Sequence, residues 1–253
     1  MTLSTDDKMI WEQRHSDLNV LALQLQVNDT VLRREVRSPL WAHLEGFSQA
    51  ISSHTSVALV YFAGFAAILQ NAPGVDATPA LKQWVHTVNR ERSASTIAAM
   101  AATAGCSVLE GFLRALAIDA VDQTLVTRLS PTFQRRTRSG QFERVSSNIA
   151  GARNQIDTWL KPSGGAAFTE WLSTLSAVFS CSIQPVISTV LEDMIMYRHG
   201  ITHPRSLPRD GAIRSVDGAR ISCWGLAAIA LAMTITHSLI RSTSTLPPSA
   251  QKS

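Results

Sequence analysis

Apolar residues along this chain recur mostly at intervals of three and four, the period of a helix that buries one face. Leu40, Leu44, Phe47 and Ile51 keep that spacing, and the apolar run Val57 to Leu69 extends it to the breaker Asn71-Ala72-Pro73-Gly74. Ser38-Pro39 just ahead reads as a helix start, with the hydroxyl as cap and the proline in the first turn. A second helix opens near Ser93–Ser95 on the stripe Ile97, Ala101, Ala104, Val108, Phe112 and Ala115. A third covers Val145 to Leu160 and stops at Pro162-Ser163-Gly164-Gly165. The apolar positions from Phe168 to Ile195 make a fourth segment, which Pro185 is expected to kink or divide. Ile221 to Ile240 closes the pattern.

The first 36 residues fit two periods. Leu21, Leu23, Leu25 and Val27 alternate as in a strand, whereas Leu18, Leu21, Ala22 and Leu25 form a helical stripe in a window rich in helix formers. The helix is the expectation. Residues 71–95 read as a linker with a short helix at 79–88, and residues 128–144 as a basic loop. The organisation expected is therefore all-α: an N-terminal helical region at 1–75, a helical domain at 76–245, and a disordered tail at 246–253.

Composition sharpens this picture in a few places. A hydrophobic share of 45% supplies a globular core, so the length of 253 residues allows one large domain or two small ones. Of the 23 basic residues nineteen are arginines, whose planar fork suits phosphate and carboxylate, although a GC-rich genome gives the same bias. Cys106, Cys181 and Cys223 are odd in number and widely spaced, against a disulfide framework or zinc ribbon and in favour of a reducing compartment. The acidic start, with Asp6, Asp7 and Glu12, is unlike a signal peptide, and a cytoplasmic location is expected. Ile221 to Ile240 is uncharged over a bilayer's length, but Thr234, Thr236, His237 and Ser238 favour a core helix over a membrane span. There is no internal repeat and no Gly-rich phosphate loop.

The densest chemistry lies in Met194-Ile195-Met196-Tyr197-Arg198-His199-Gly200-Ile201-Thr202-His203-Pro204. Positions five apart on a straight helix point about 140° away from each other. Arg198 and His203 therefore converge only if the backbone bends or a second copy contributes; Gly200 makes a bend cheap and Pro204 drives His203 toward an extended conformation. The order Arg-His-x-x-x-His resembles the Arg-x(4–6)-His signature of HEPN domains, all-helical modules that are often ribonucleases. The resemblance covers this motif and, more loosely, the helices from about Ser93 to Ile240. A second match, Arg37 to His43, falls across a helix cap, where His43 reads as a packed or surface residue.

The resemblance implies a HEPN-like bundle with additional N-terminal helices, and metal-independent RNA cleavage of the toxin or phage-defence type. His203 would remove the ribose 2′-OH proton, Arg198 would neutralise the phosphoryl oxygens, and His199 would hold the polar position after the arginine. Glu110, in Leu109-Glu110-Gly111-Phe112-Leu113, is similar to an acidic residue that faces the groove in the family; its plain reading is an ion pair with Arg114. Arg135, Arg136, Arg138 and Arg144, with Phe133 and Phe142 alongside, could track an RNA backbone, or simply be solvated. The family commonly needs two facing motifs, which implies a homodimer, and its toxins suggest an antitoxin or defence-system partner. No cofactor and no metal are expected: His199 and His203 have the spacing of helical ligands, but no acid lies between them and Gly200 and Pro204 disfavour the helix. The alternatives are a non-catalytic HEPN-like interaction module, with Arg198 and the histidines capping a helix C-terminus, and a helical membrane-anchored protein.

Overall fold

A computed structural model describes residues 5–71, 90–120, 134–136, 142–144, 146–159, 176, 179–202 and 216–244. The expected boundary near residue 76, the short helix at 79–88 and the tail at 246–253 lie outside them. Among the described residues the fold is all-α: helices α1 (Thr5–Glu35), α2 (Leu40–Asn71), α3 (Arg90–Ala120), α4 (Ile149–Trp159), α5 (Pro185–Thr202) and α6 (Gly218–Ser244), plus one two-stranded ribbon.

The ambiguous N-terminal stretch is helical. Leu18 and Ala22 are buried, Leu21 and Leu25 pack against the core, and Leu23 and Val27 of the alternating set face solvent. α2 starts as the Ser38-Pro39 pair dictates. The Leu40 amide donates to Ser38 Oγ at 3.3 Å, and Leu40, Leu44, Phe47 and Ile51 are all buried.

α6 is the hub: it packs on α1, α2, α3 and α5. It is long and apolar enough to cross a membrane, as is Thr96–Leu116 of α3, but here its length lies inside the protein's own core. A helix apolar on nearly every side needs neighbours on every side, and four helices supply them. Asp217 Oδ1 caps its first turn by accepting from the Arg220 amide at 2.9 Å.

Several expectations are revised. α3 begins at Arg90, ahead of Ser93, and its buried line is Ala98, Ala102, Cys106, Leu109, Phe112, Leu113 and Leu116; of the expected stripe Phe112 is buried, while Ile97, Ala101 and Val108 are only partly buried. Helices α2, α5 and α6 cover α3 from more than one side, so the buried arc is wider than a single stripe and centred one residue on. α4 begins at Ile149 because Asn148 Oδ1 accepts from the Ala150 amide at 2.8 Å and Ser146 Oγ from the Asn148 amide at 3.2 Å, which makes 146–148 the cap. Of the two outcomes expected at Pro185 the structure has the division and not the kink: residues 180–184 are not helical and Pro185 opens α5, where its missing N–H costs nothing; the Gln184 carbonyl accepts from Ile187 and Ser188. The basic stretch is not wholly a loop: Gln134–Arg136 (β1) and Phe142–Arg144 (β2) pair antiparallel, with Ser139-Gly140 lying between the two strands in sequence.

Candidate functional site

α5 brings the motif arginine to α3. Ile187, Val190, Leu191, Met194 and Tyr197 are its buried face. α3 and α5 cross where a glycine permits close approach: a Cβ on Gly105 would lie 3.1 Å from Met194 Sδ. About one turn past that crossing on each helix, Arg198 Nη1 donates to Glu110 Oε1 at 2.6 Å. The two side chains are 33% and 29% exposed, so the pair sits at a rim, desolvated on one side and open on the other. Glu110 thus bonds Arg198, 88 residues away, across the α3–α5 contact.

Burial draws the Arg198 guanidinium down, but the hydrogen bond and charge of Glu110, helped by Cys106, raise it above its ordinary value. Arg198 is a cation at any working pH. Burial pushes the Cys106 thiol up to about 11 against the lowering pull of Arg198, so it remains a protonated thiol and no nucleophile. Cys106 was missed as a neighbour of the motif. Its spacing of four from Glu110, one helical turn on the same face, is the signal that could have found it.

His199 is half-buried in the last turn of α5. Gly200 does not break the helix, which continues through it to Thr202, since one glycine costs a packed helix only about 1 kcal/mol. His203 itself lies outside the described residues, as does Arg138. Arg135 and Arg136 are in β1 and Arg144 is in β2, with Arg135 in register opposite Glu143. β2 is tied to α4, which packs on α3: Gln155 Nε2 donates to the Arg144 carbonyl at 3.2 Å.

In the rival motif, His43 Nε2 meets Asp119 Oδ2 at 2.5 Å, a tie between α2 and the end of α3. Among the described residues no group of three or more His, Cys, Asp or Glu is placed to hold a metal ion. A cleft of about 10 Å³ lined by Ile51, His54, Thr55, Gly105, Met194 and Trp224 has room for about one water, and no candidate site residue lines it.

A second polar cluster went unread in the sequence. Arg220, 3% exposed, donates from Nε to Asp193 Oδ2 at 2.8 Å and from Nη2 to Asp193 Oδ1, while Trp224 Nε1 donates to Asp193 Oδ2 at 2.9 Å. The rings of Trp11, Tyr197 and Trp224 lie 5.1, 5.8 and 5.8 Å from the guanidinium carbon. This cluster locks α1, α5 and α6 together one turn before Arg198. No protein-family model, curated protein or solved structure matches this chain.

Proposed function

We propose that the chain is a metal-independent endoribonuclease of HEPN-like type, acting in the cytoplasm at the C-terminal end of α5. The observation that supports this reading is the Glu110–Arg198 bond, which puts a permanently charged guanidinium, held in one orientation, at a half-exposed rim beside His199. In the proposed reaction His203 takes the proton of a ribose 2′-OH and the 2′-oxygen attacks the adjacent phosphorus. The bond from phosphorus to the 5′-oxygen breaks, and that oxygen leaves with a proton supplied by His199. Arg198 stabilises the charge on the phosphoryl oxygens. Glu110 is a positioning residue that acts through Arg198.

The Glu110 carboxylate neutralises the arginine at long range, so attraction for the RNA backbone has to come from elsewhere. The basic residues at 135, 136, 138 and 144 take that role in this reading, and it makes RNA binding steeply salt-dependent.

The same bond favours a second reading, in which Arg198 is a structural tie between α3 and α5 within a non-catalytic helical interaction module. Cleavage of a labelled single-stranded RNA in the presence of EDTA separates the two. The first reading expects turnover that His203→Ala reduces about 10²–10⁴-fold with the melting temperature unchanged, and that Arg198→Lys damages almost as much, since lysine lacks the two-pronged geometry. It also expects Glu110→Gln to retain more turnover than Glu110→Ala, because the amide oxygen still accepts from Arg198. Cleavage that survives His203→Ala, or that EDTA removes, overturns the ribonuclease. An Arg198→Ala chain that only melts earlier supports the tie.

A further inference from the structure

α1 carries two apolar faces where a helix on the outside of a bundle needs one. Trp11, Leu18, Ala22 and Leu32 go into the core. On the opposite side Met9, Val20, Leu23, Val27 and Val31 are 56%, 54%, 63%, 66% and 49% exposed. At about 100° per residue these five fall within an arc of about 80°, a continuous stripe pointing away from the protein. Spacings of three, four and four from Val20 to Val31 are those of a helix–helix seam.

Charge at the two ends of the stripe selects its occupant. Glu12 flanks the N-terminal half, and Arg34, exposed, flanks the other end on the same side of the stripe. Two copies of α1 laid antiparallel about a twofold axis at Leu23 bring Leu23 onto Leu23 and, on either side of it, Val20 to within about one residue, about 1.5 Å along the axis, of the other copy's Val27. Each Arg34 then meets the other copy's Glu12. A parallel pairing would instead oppose Arg34 to Arg34 and Glu12 to Glu12. Among the described residues Glu12 pairs with Lys8, in an exposed pair at 3.7 Å that is easily given up.

We infer that the outer face of α1 is a homodimer interface, with the two helices antiparallel and Leu23 on the twofold axis. The inference does not depend on the ribonuclease reading. From Met9 to Arg34 the helix is about 39 Å long, and a strip about 10 Å wide buries on the order of 800 Å² over both copies. That is slightly below the roughly 1,000 Å² of a stable interface, so the dimer is weak and concentration-dependent.

Sedimentation velocity across the micromolar range tests it. The wild-type chain shifts from monomer to dimer, and Leu23→Asp stays monomeric with unchanged helicity and melting, because Leu23 is 63% exposed and lies outside the core. Arg34→Glu weakens association, and Arg34→Glu with Glu12→Arg restores it. Under mild oxidation Leu23→Cys links to its twin well above the background of the native cysteines. Val31→Cys does not, because its twin lies about 24 Å away at about 1.5 Å per residue. A wild-type chain monomeric throughout, a dimer that survives Leu23→Asp, a double charge swap that fails to restore, or equal linking at both cysteines overturns the inference. Vesicle binding by the wild-type chain that Leu23→Asp abolishes would make lipid the occupant and overturn it as well.

Discussion

Asp193 joins α5 to α6 through a buried ion pair. Its carboxylate accepts both hydrogen bonds of the Arg220 fork and a third from the Trp224 indole, with Arg220 at 4% and Asp193 at 13% side-chain exposure. Asp193→Leu strips a buried guanidinium of this carboxylate and the indole N–H of its acceptor. Breaking one side of a buried ion pair costs about 3–5 kcal/mol, and the orphaned indole adds about 1 kcal/mol. Arg220→Met leaves the carboxylate buried without this partner and belongs in the same range. The double variant removes both charges and refills the space among Trp11, Tyr197 and Trp224 with apolar atoms, so its cost lies well below the two singles combined, with a coupling of at least about 2 kcal/mol. Urea unfolding followed by far-UV circular dichroism on the four chains gives the cycle. Asp193→Asn, which keeps an acceptor for Trp224, provides a milder point should a single variant fail to fold. A cost under about 1 kcal/mol for Asp193→Leu, or single-variant costs that simply add, would refute the reasoning, because the pair would then behave as a solvated one.

Three further outcomes follow from the packing. His237 is buried; desolvation lowers its pKa more than the Asp29 bond at 3.0 Å raises it, and Arg241 and Arg33 lower it too. With the folded value below the unfolded one, stability is full above about pH 6.5 and falls as pH drops through that value, by up to about 1.4 kcal/mol per unit until the folded pKa is passed; urea midpoints from acid to neutral pH should show this, and His237→Gln should flatten it. Gly225→Ala puts a Cβ 2.5 Å from Thr55 Oγ1 at the α2–α6 crossing, so it should lose about 1–3 kcal/mol in thermal unfolding despite the better helix former, and Thr55→Ala should recover most of the loss. Thr236 Oγ1 is, among the described residues, a buried polar atom without a hydrogen-bond partner, so Thr236→Val should raise the unfolding free energy by about 1 kcal/mol; a loss would mean that the hydroxyl is satisfied.

What the sequence determined by itself is what nearest neighbours along the chain determine. The Ser38-Pro39 start, the buried set Leu40, Leu44, Phe47 and Ile51, and the helical character of residues 5–35 all follow from local periodicity and backbone sterics, which act within one turn. Where a helix has neighbours on several sides, periodicity misjudged the centre of the buried face, as at Ala98, Ala102 and Cys106, because a wide arc has no single stripe. Only the tertiary structure decided pairings across the chain. Glu110 has Arg114 at helical spacing and bonds Arg198 because Gly105 lets α5 come close. Asp193 follows Glu192 in an otherwise apolar segment and Arg220 opens another, and nothing local says that Asp193 and Arg220 neutralise each other inside a ring of aromatics. The uncharged run of α6 is as long as a membrane span in the sequence, and the four helices packed around it make it a core. Burial and partnership are properties of surfaces that meet only once the chain has folded, which is why charge pairs and shared cores were the part left unread.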